Sequence, residues 1–77
     1  MDVIRQVRIP IYDLGCGGAG ATAIERELAA THGVLRAYVN PATETAYVDY
    51  TQAETDAPAI TRAIRGAGHR AGQPIDA

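Results

Sequence analysis

The chain has 77 residues, of which 47% are hydrophobic and 21% charged, and its formal net charge is −2 at pH 7. These proportions of hydrophobic and charged residues are typical of a small globular domain. The negative net charge argues against a nucleic-acid-binding protein, which is usually strongly basic. The sequence has one cysteine, no secretory signal pattern and no apolar run near the roughly 18 residues that a membrane span needs, which excludes an internal disulfide and a spanning helix.

The first predicted element is a β-strand near the start of the chain. Val3, Val7, Ile9 and Ile11 fall on one side of an alternating pattern, with Arg5 as the exception, and this period of two is typical of a strand with one buried face. Pro10 cannot donate a ladder hydrogen bond, so we expect it near the end of the strand or at a bulge.

An amphipathic helix is predicted next, over residues 19–32. The charged residues 25–27 lie mostly off its apolar face, which carries Ala21, Ile24 and Leu28 at helical spacing. Gly33 follows and supplies the left-handed backbone that ends a helix.

Two further strands are predicted over residues 34–40 and 45–50. The connection between them, residues 41–44, has a length typical of a β-hairpin. The residues that we expect to face inward on these strands are Ala37, Val39, Ala46, Val48 and Tyr50.

A second helix is predicted after Thr55 and Asp56, which precede Ala57 and Pro58 as a cap precedes a proline in the first turn. Its apolar face carries Ile60, Ala63, Ile64 and Ala67. Gly66 and Gly68 end the helix, and residues 69–75 predict a short, weak last strand.

The predicted order of elements is therefore β-α-β-β-α-β. Two helices can cover one face of a four-stranded antiparallel sheet, so we expect an α+β fold, a ferredoxin-like sandwich. We expect residues 1–77 to form one domain. A single cysteine is simplest to reconcile with a reducing, cytoplasmic setting.

The most informative segment, residues 13–20, joins the first strand to the first helix and reads Asp-Leu-Gly-Cys-Gly-Gly-Ala-Gly. Cys16 lies near the N-terminus of the helix, whose dipole favours the thiolate. The segment also matches the dinucleotide pattern G-x-G-x-x-G, but a short chain with this order of elements cannot supply the parallel sheet that a dinucleotide site needs. The segment therefore predicts a loop with a reactive or metal-binding thiol.

The sequence resembles the heavy-metal-associated domain family, small copper- and mercury-handling modules with the same order of elements. The order and spacing of five segments outside the glycine-rich loop carry this resemblance: residues 23–28, 32–34, 37–40, 44–50 and 63–69. The resemblance implies a metal-binding or metal-trafficking domain similar to copper chaperones. No catalytic motif is present, and we expect no enzymatic activity.

The family's metal loop usually reads Gly-Met-x-Cys-x-x-Cys. Counted from the first strand, Cys16 falls on the first metal thiolate and Leu14 replaces the methionine. Counted back from the helix, the first cysteine falls on Gly17 instead, so this loop is one residue longer. The second cysteine is missing, and its place is held by Ala19 or Gly20.

The resemblance implies a second ligand from elsewhere in the chain. His69 stands where the family commonly carries Tyr or Phe, in a loop that lies beside the metal loop in the family's fold. Cys16 and His69 are therefore the predicted metal ligands, and thiolate plus imidazole suits Cu(I) or another soft ion. A second Cys16 from another copy would give a metal-bridged homodimer. The implied partner is a metal-transport ATPase or another metal-accepting protein, with no role for nucleic acid or membrane.

Two other interpretations stay open. The first is a metal-free interaction or regulatory module that has lost the two-cysteine site and pairs through an exposed sheet edge. The second is a redox sensor that uses Cys16. The arginines around the second helix, Arg62, Arg65 and Arg70, form either a small basic patch or an ordinary solvated face.

Overall fold

The computed structural model describes residues 3–12 and 19–76 of the chain. In chain order the elements are β1 (Ile4–Pro10), α1 (Ala19–Ala29), β2 (Val34–Asn40), β3 (Thr45–Thr51), α2 (Ala57–Gly66) and β4 (Ile75–Asp76). The predicted β-α-β-β-α-β order is therefore observed.

The sheet has the strand order β2-β3-β1-β4, and all neighbouring strands are antiparallel. Three strands have seven residues each, but β4 has two, which pair with Val7 and Arg8 of β1. The prediction of four strands is met only in part, by three full strands and a rudimentary fourth. Pro74 directly precedes β4 and has no N–H for the ladder, which limits how far the strand extends.

The first strand places its apolar side chains as predicted, with one exception. Val7 and Ile9 are fully buried, and Pro10 is the last residue of the strand. Val3 is 51% exposed, although the alternating pattern assigns it to the buried face. It precedes the strand, where its carbonyl accepts a hydrogen bond from the Gln52 N–H at 2.9 Å, and it takes no part in the core.

One core holds the two helices against a single face of the sheet. Its members come from β1 and the residue after it, β2, β3, both helices and the segment before β4: Val7, Ile9, Ile11, Ala21, Ile24, Leu28, Val39, Ala46, Val48, Tyr50, Ile60, Ile64 and Ala71. Of the predicted inward residues on β2 and β3, four belong to this cluster, and Ala37 is partly buried against it. These apolar contacts supply most of the driving force for folding.

The first helix ends at Ala29, three residues before the predicted end at His32. The Thr31 N–H bonds to the Leu28 carbonyl only three residues back, at 3.0 Å, so the chain leaves the α-helix through a tighter turn. Gly33 then adopts the expected left-handed conformation, with φ of 88°.

The second helix begins as its sequence predicts. The Asp56 carboxylate caps it by accepting the Ala59 N–H at 2.9 Å, and Pro58 lies in the first turn. Ile60 and Ile64 are fully buried, whereas Ala67 lies beyond the last helical residue and is exposed.

Candidate metal centre

The predicted thiolate ligand, Cys16, lies within residues 13–18, outside the described part of the chain. The candidate site is therefore built from the residues on either side of that segment. The described chain stops at Tyr12 and resumes at Ala19, the first residue of α1.

The segment that leads to residue 13 is held by hydrogen bonds on both sides. The Ile11 N–H donates to the Glu44 carbonyl at 2.8 Å, and the Tyr12 N–H donates to the Arg70 carbonyl at 2.9 Å. Ile11 is fully buried and pairs with Ala71 as an isolated antiparallel bridge. The chain is thus fixed in position up to the residue before the glycine-rich segment.

The return segment, residues 69–72, runs alongside these residues. The Gly72 N–H donates to the Pro10 carbonyl at 2.8 Å, which closes the bridge between Ile11 and Ala71. The Tyr12 ring lies directly over Gly72, since a Cβ added at Gly72 would lie 2.8 Å from the ring carbon Cζ. Only glycine leaves room for the ring in this position. The sequence analysis missed this contact, because one glycine opposite one aromatic residue forms no pattern along the chain.

His69 lies at the start of this return segment, one residue before the partner of Tyr12. Its side chain is half-buried, and Nδ1 is shielded from solvent. Its N–H donates to the Ile64 carbonyl at 3.4 Å, and Arg65 of α2 donates from its guanidinium to the Ala71 carbonyl at 3.2 Å. Helix α2 therefore holds the His69 segment from one side, and residues 10–12 hold it from the other.

The structure thus brings His69 next to the end of the strand that leads to Cys16. Of the two predicted ligands, only His69 lies within the described residues. Among residues 3–12 and 19–76, no three or more His, Cys, Asp or Glu side chains form a group that could hold a metal ion.

The other histidine lies elsewhere in the fold. His32 follows the C-terminal end of α1, whereas residues 13–18 precede its N-terminal end, and the 11-residue helix between them is about 16 Å long. The His32 side chain is 81% exposed, with Nε2 3.8 Å from Oε1 of Glu54.

The profile of the heavy-metal-associated domain matches residues 11–70. This match covers most of the chain, and the chain therefore belongs to the heavy-metal-associated domain family. Among curated proteins, no significant match is found. Within the described residues, neither helix is long and apolar enough to cross a membrane.

Solved structures of this family share the fold. The N-terminal domain of a potential copper-translocating P-type ATPase from Bacillus subtilis, solved in the Cu(I)-loaded state, is 28% identical with a TM-score of 0.80, over 90% of this chain and 85% of that one. Oxidized MerP from Ralstonia metallidurans CH34 is 21% identical with a TM-score of 0.85, over 91% and 96%. The yeast copper transporter domain CCC2A is 22% identical with a TM-score of 0.83, over 95% and 99%. At these last two identities the likeness concerns the fold alone.

Proposed function

We propose that this domain binds one soft metal ion, Cu(I) by preference, through Cys16 with His69 as the second ligand, and passes it to a metal-accepting protein such as a metal-transport ATPase. The observation that carries the proposal is the place of His69. The Arg70 carbonyl accepts the Tyr12 N–H at 2.9 Å, so His69 stands beside the strand end that leads to the only thiol of the chain. Family membership and the Cu(I)-loaded ATPase domain from Bacillus subtilis support the choice of ion and partner.

The chemistry of the two ligands fits Cu(I) better than harder ions. Thiolate sulfur and imidazole nitrogen are soft or borderline donors, and Cu(I) accepts as few as two of them. Zinc sites in proteins are almost always four-coordinate, so one Cys and one His would leave zinc short of ligands. The hydrogen bonds that join residues 69–72 to α2 and to residues 10–12 fix the backbone of the His69 segment in advance, which lowers the entropy lost on binding.

Delivery by such a site is a ligand exchange. A thiolate of the accepting protein bonds to the ion, after which His69 and then Cys16 dissociate from it. The incoming thiol loses its proton as it binds, and Cys16 regains one when the ion leaves. The oxidation state of copper does not change, so the step needs no electron donor or acceptor.

Competition for Cu(I) tests this proposal. We expect the reduced protein to compete with a Cu(I) chelator, Cys16→Ser to weaken binding about a hundredfold or more, and His69→Ala to weaken it about tenfold, each tenfold being about 1.4 kcal/mol. His32→Ala is the matched control, because His32 is exposed and lies beyond the far end of α1. It should leave the affinity unchanged.

Other outcomes separate the remaining interpretations. Binding no tighter than that of an unrelated single-cysteine protein, with no effect of Cys16→Ser, contradicts the proposal and favours the metal-free interaction module. A loss of Cu(I) affinity with Cys16→Ser but not with His69→Ala would support Cys16 as a ligand and exclude His69 as one. One ion per two chains, measured by mass under native conditions, supports the predicted metal-bridged homodimer. One ion per chain contradicts it.

A further inference from the structure

A groove between α2 and the segment before β4 lies away from the predicted ligands. Its described lining consists of Pro58, Thr61, Arg62, Arg65, Gln73 and Pro74. The four residues from α2 fall at i, i+3, i+4 and i+7, so they form one stripe on the helix, next to the stripe of Ile60 and Ile64 that enters the core. The groove is thus a product of regular helix geometry and of the return of the chain toward β4.

The lining is rich in hydrogen-bond donors and positive charge. Two arginines and one side-chain amide face a groove whose described lining residues include no carboxylate, although the whole chain carries a net charge of −2. The nearest acidic residue along α2, Asp56, already accepts the Ala59 N–H as the helix cap. Of the three arginines around α2, Arg62 and Arg65 line this groove, whereas Arg70 belongs to the segment beside Tyr12.

One of these arginines is held in place. The Arg65 guanidinium donates to the Ala71 carbonyl at 3.2 Å, which fixes the planar group at the edge of the groove. A guanidinium has five N–H donors, and one bond leaves others for a ligand. Thr61 is buried at 4% exposure with its hydroxyl bonded to the Ala57 carbonyl at 2.9 Å, so it forms a fixed floor beside the arginines.

We propose that this groove binds a small free oxyanion of the phosphate type. Two arginines in one groove match the geometry of such groups, because each guanidinium can donate two parallel hydrogen bonds to a pair of oxygens. Gln73 adds a neutral amide donor. Pro58 and Pro74 form walls whose backbone φ is fixed by the pyrrolidine ring. This site is independent of metal binding.

The test is a titration followed by amide NMR shifts on the whole chain without metal. Inorganic phosphate is one probe, and an acetylated tetraglutamate peptide is the other, both at constant ionic strength set with sodium chloride. We expect saturable shifts at residues 59–65, 73 and 75, the positions around the groove that carry a backbone N–H. Saturable binding of phosphate supports the proposal, whereas tighter binding of the peptide would contradict it and identify an acidic protein segment as the ligand.

Variants make the test specific. We expect Arg62→Gln to weaken binding about tenfold and the pair Arg62→Gln with Arg65→Gln to abolish it, since hydrogen bonds to charged groups are the strong ones. Arg26→Gln removes the same charge from the last turn of α1 and should have no effect. Because Arg62 has no part in the bond to Ala71, its variant keeps the His69 segment in place and separates ligand binding from a change in fold. Equal shifts in the wild type and the double variant, or equal losses with Arg26→Gln, would overturn the proposal.

Discussion

Glu25 joins the first helix to the open edge of the sheet. Its Oε2 accepts the backbone N–H of Val39 at 2.8 Å, from a residue 14 positions away in the chain. Val39 belongs to β2, the strand at one end of the order β2-β3-β1-β4. An unpaired N–H at such an edge is a template for pairing with another chain, and this carboxylate occupies it. Edge pairing by β2, one basis of the metal-free interpretation, would have to leave this position unused or displace Glu25.

Removal of this side chain tests its contribution to stability. We expect Glu25→Ala to lower the free energy of unfolding by about 1.5–3 kcal/mol, the usual value for a hydrogen bond to a charged group. Glu27→Ala is the control on the same helix, because Glu27 is exposed, and it should change stability by less than about 0.5 kcal/mol. Urea unfolding of both variants measures the difference. Equal losses would contradict a specific role for the Val39 bond.

The sequence could not distinguish Glu25 from Glu27. Helical periodicity places both mostly off the apolar face of α1. The difference between them comes from where β2 lies against the helix, which is a property of the tertiary fold and leaves no trace in local spacing. The ring of Tyr12 over Gly72 was missed for the same reason.

The turn between α1 and β2 depends on Gly33 in two separate ways. Its φ of +88° lies in the left-handed region, and a Cβ added there would stand 2.8 Å from Cγ2 of Thr55. Its carbonyl also accepts the Thr51 N–H at 2.9 Å, which ties the turn to the end of β3. Any side chain at this position must therefore move the segment before α2.

Two glycine variants separate backbone strain from steric contact. Gly68 has φ of +93° but open space where its Cβ would be. We expect Gly68→Ala to lower the stability by about 1 kcal/mol, the cost of the left-handed conformation alone. Gly33→Ala should cost at least about 1 kcal/mol more, because the contact with Thr55 is added. Thermal unfolding under identical conditions compares the two, and an equal loss would show that Thr55 yields without cost.

Elements with local signals were predicted well, and those that depend on distant partners were not. Asp56 and Pro58 mark the start of α2 by capping and by a fixed φ, both of which act within one turn. The hairpin of β2 and β3 likewise follows from alternation around a short connection. The last strand has only a weak signal: it was predicted within residues 69–75, and the observed strand, Ile75–Asp76, overlaps that range at one residue. Its two residues pair because the chain returns to β1, and Gly72 and Pro74 before it give no strand pattern.

The whole molecule has a thin core, as a chain of this length must. Its largest fully buried side chains are six Ile or Leu and three Val, drawn from β1, α1, β2, β3, α2 and, for Ile11, the residue that follows β1. A domain of this size is stable by only a few kcal/mol, so the loss of one such side chain is a large fraction of the total.

Two leucines allow a matched test of this point. Leu28 is fully buried in α1, and Leu35 is 57% exposed at the irregularity in β2 between Val34 and Arg36. We expect Leu28→Ala to cost about 2–5 kcal/mol and to leave much of the protein unfolded at room temperature. Leu35→Ala should cost less than about 1 kcal/mol. Circular dichroism at increasing temperature measures both, and a fully folded Leu28→Ala protein would contradict the account of the core.

The candidate site shows how far sequence reasoning reaches at this scale. Cys16 stays a prediction, made from composition because it is the only thiol and lies in a glycine-rich segment. The choice of His69 over His32 came from the family resemblance, because nothing within residues 68–72 indicates a ligand. His69 lies close to Tyr12 because the chain returns antiparallel to residues 10–12 and because Arg65 bonds to the Ala71 carbonyl. Neither feature can be read from local spacing in the sequence.

The stacked rings of Tyr38 and Tyr47 have a practical consequence. Their centroids are 6.1 Å apart with an angle of 22° between planes, and they are cross-strand neighbours in β2 and β3. The chain has four tyrosines and no tryptophan, so its near-ultraviolet absorption comes from few chromophores. Two phenol rings this close couple their electronic transitions. We therefore expect the hairpin to carry its own optical reporter, a near-ultraviolet dichroic band that weakens when the two strands separate or slip by one residue.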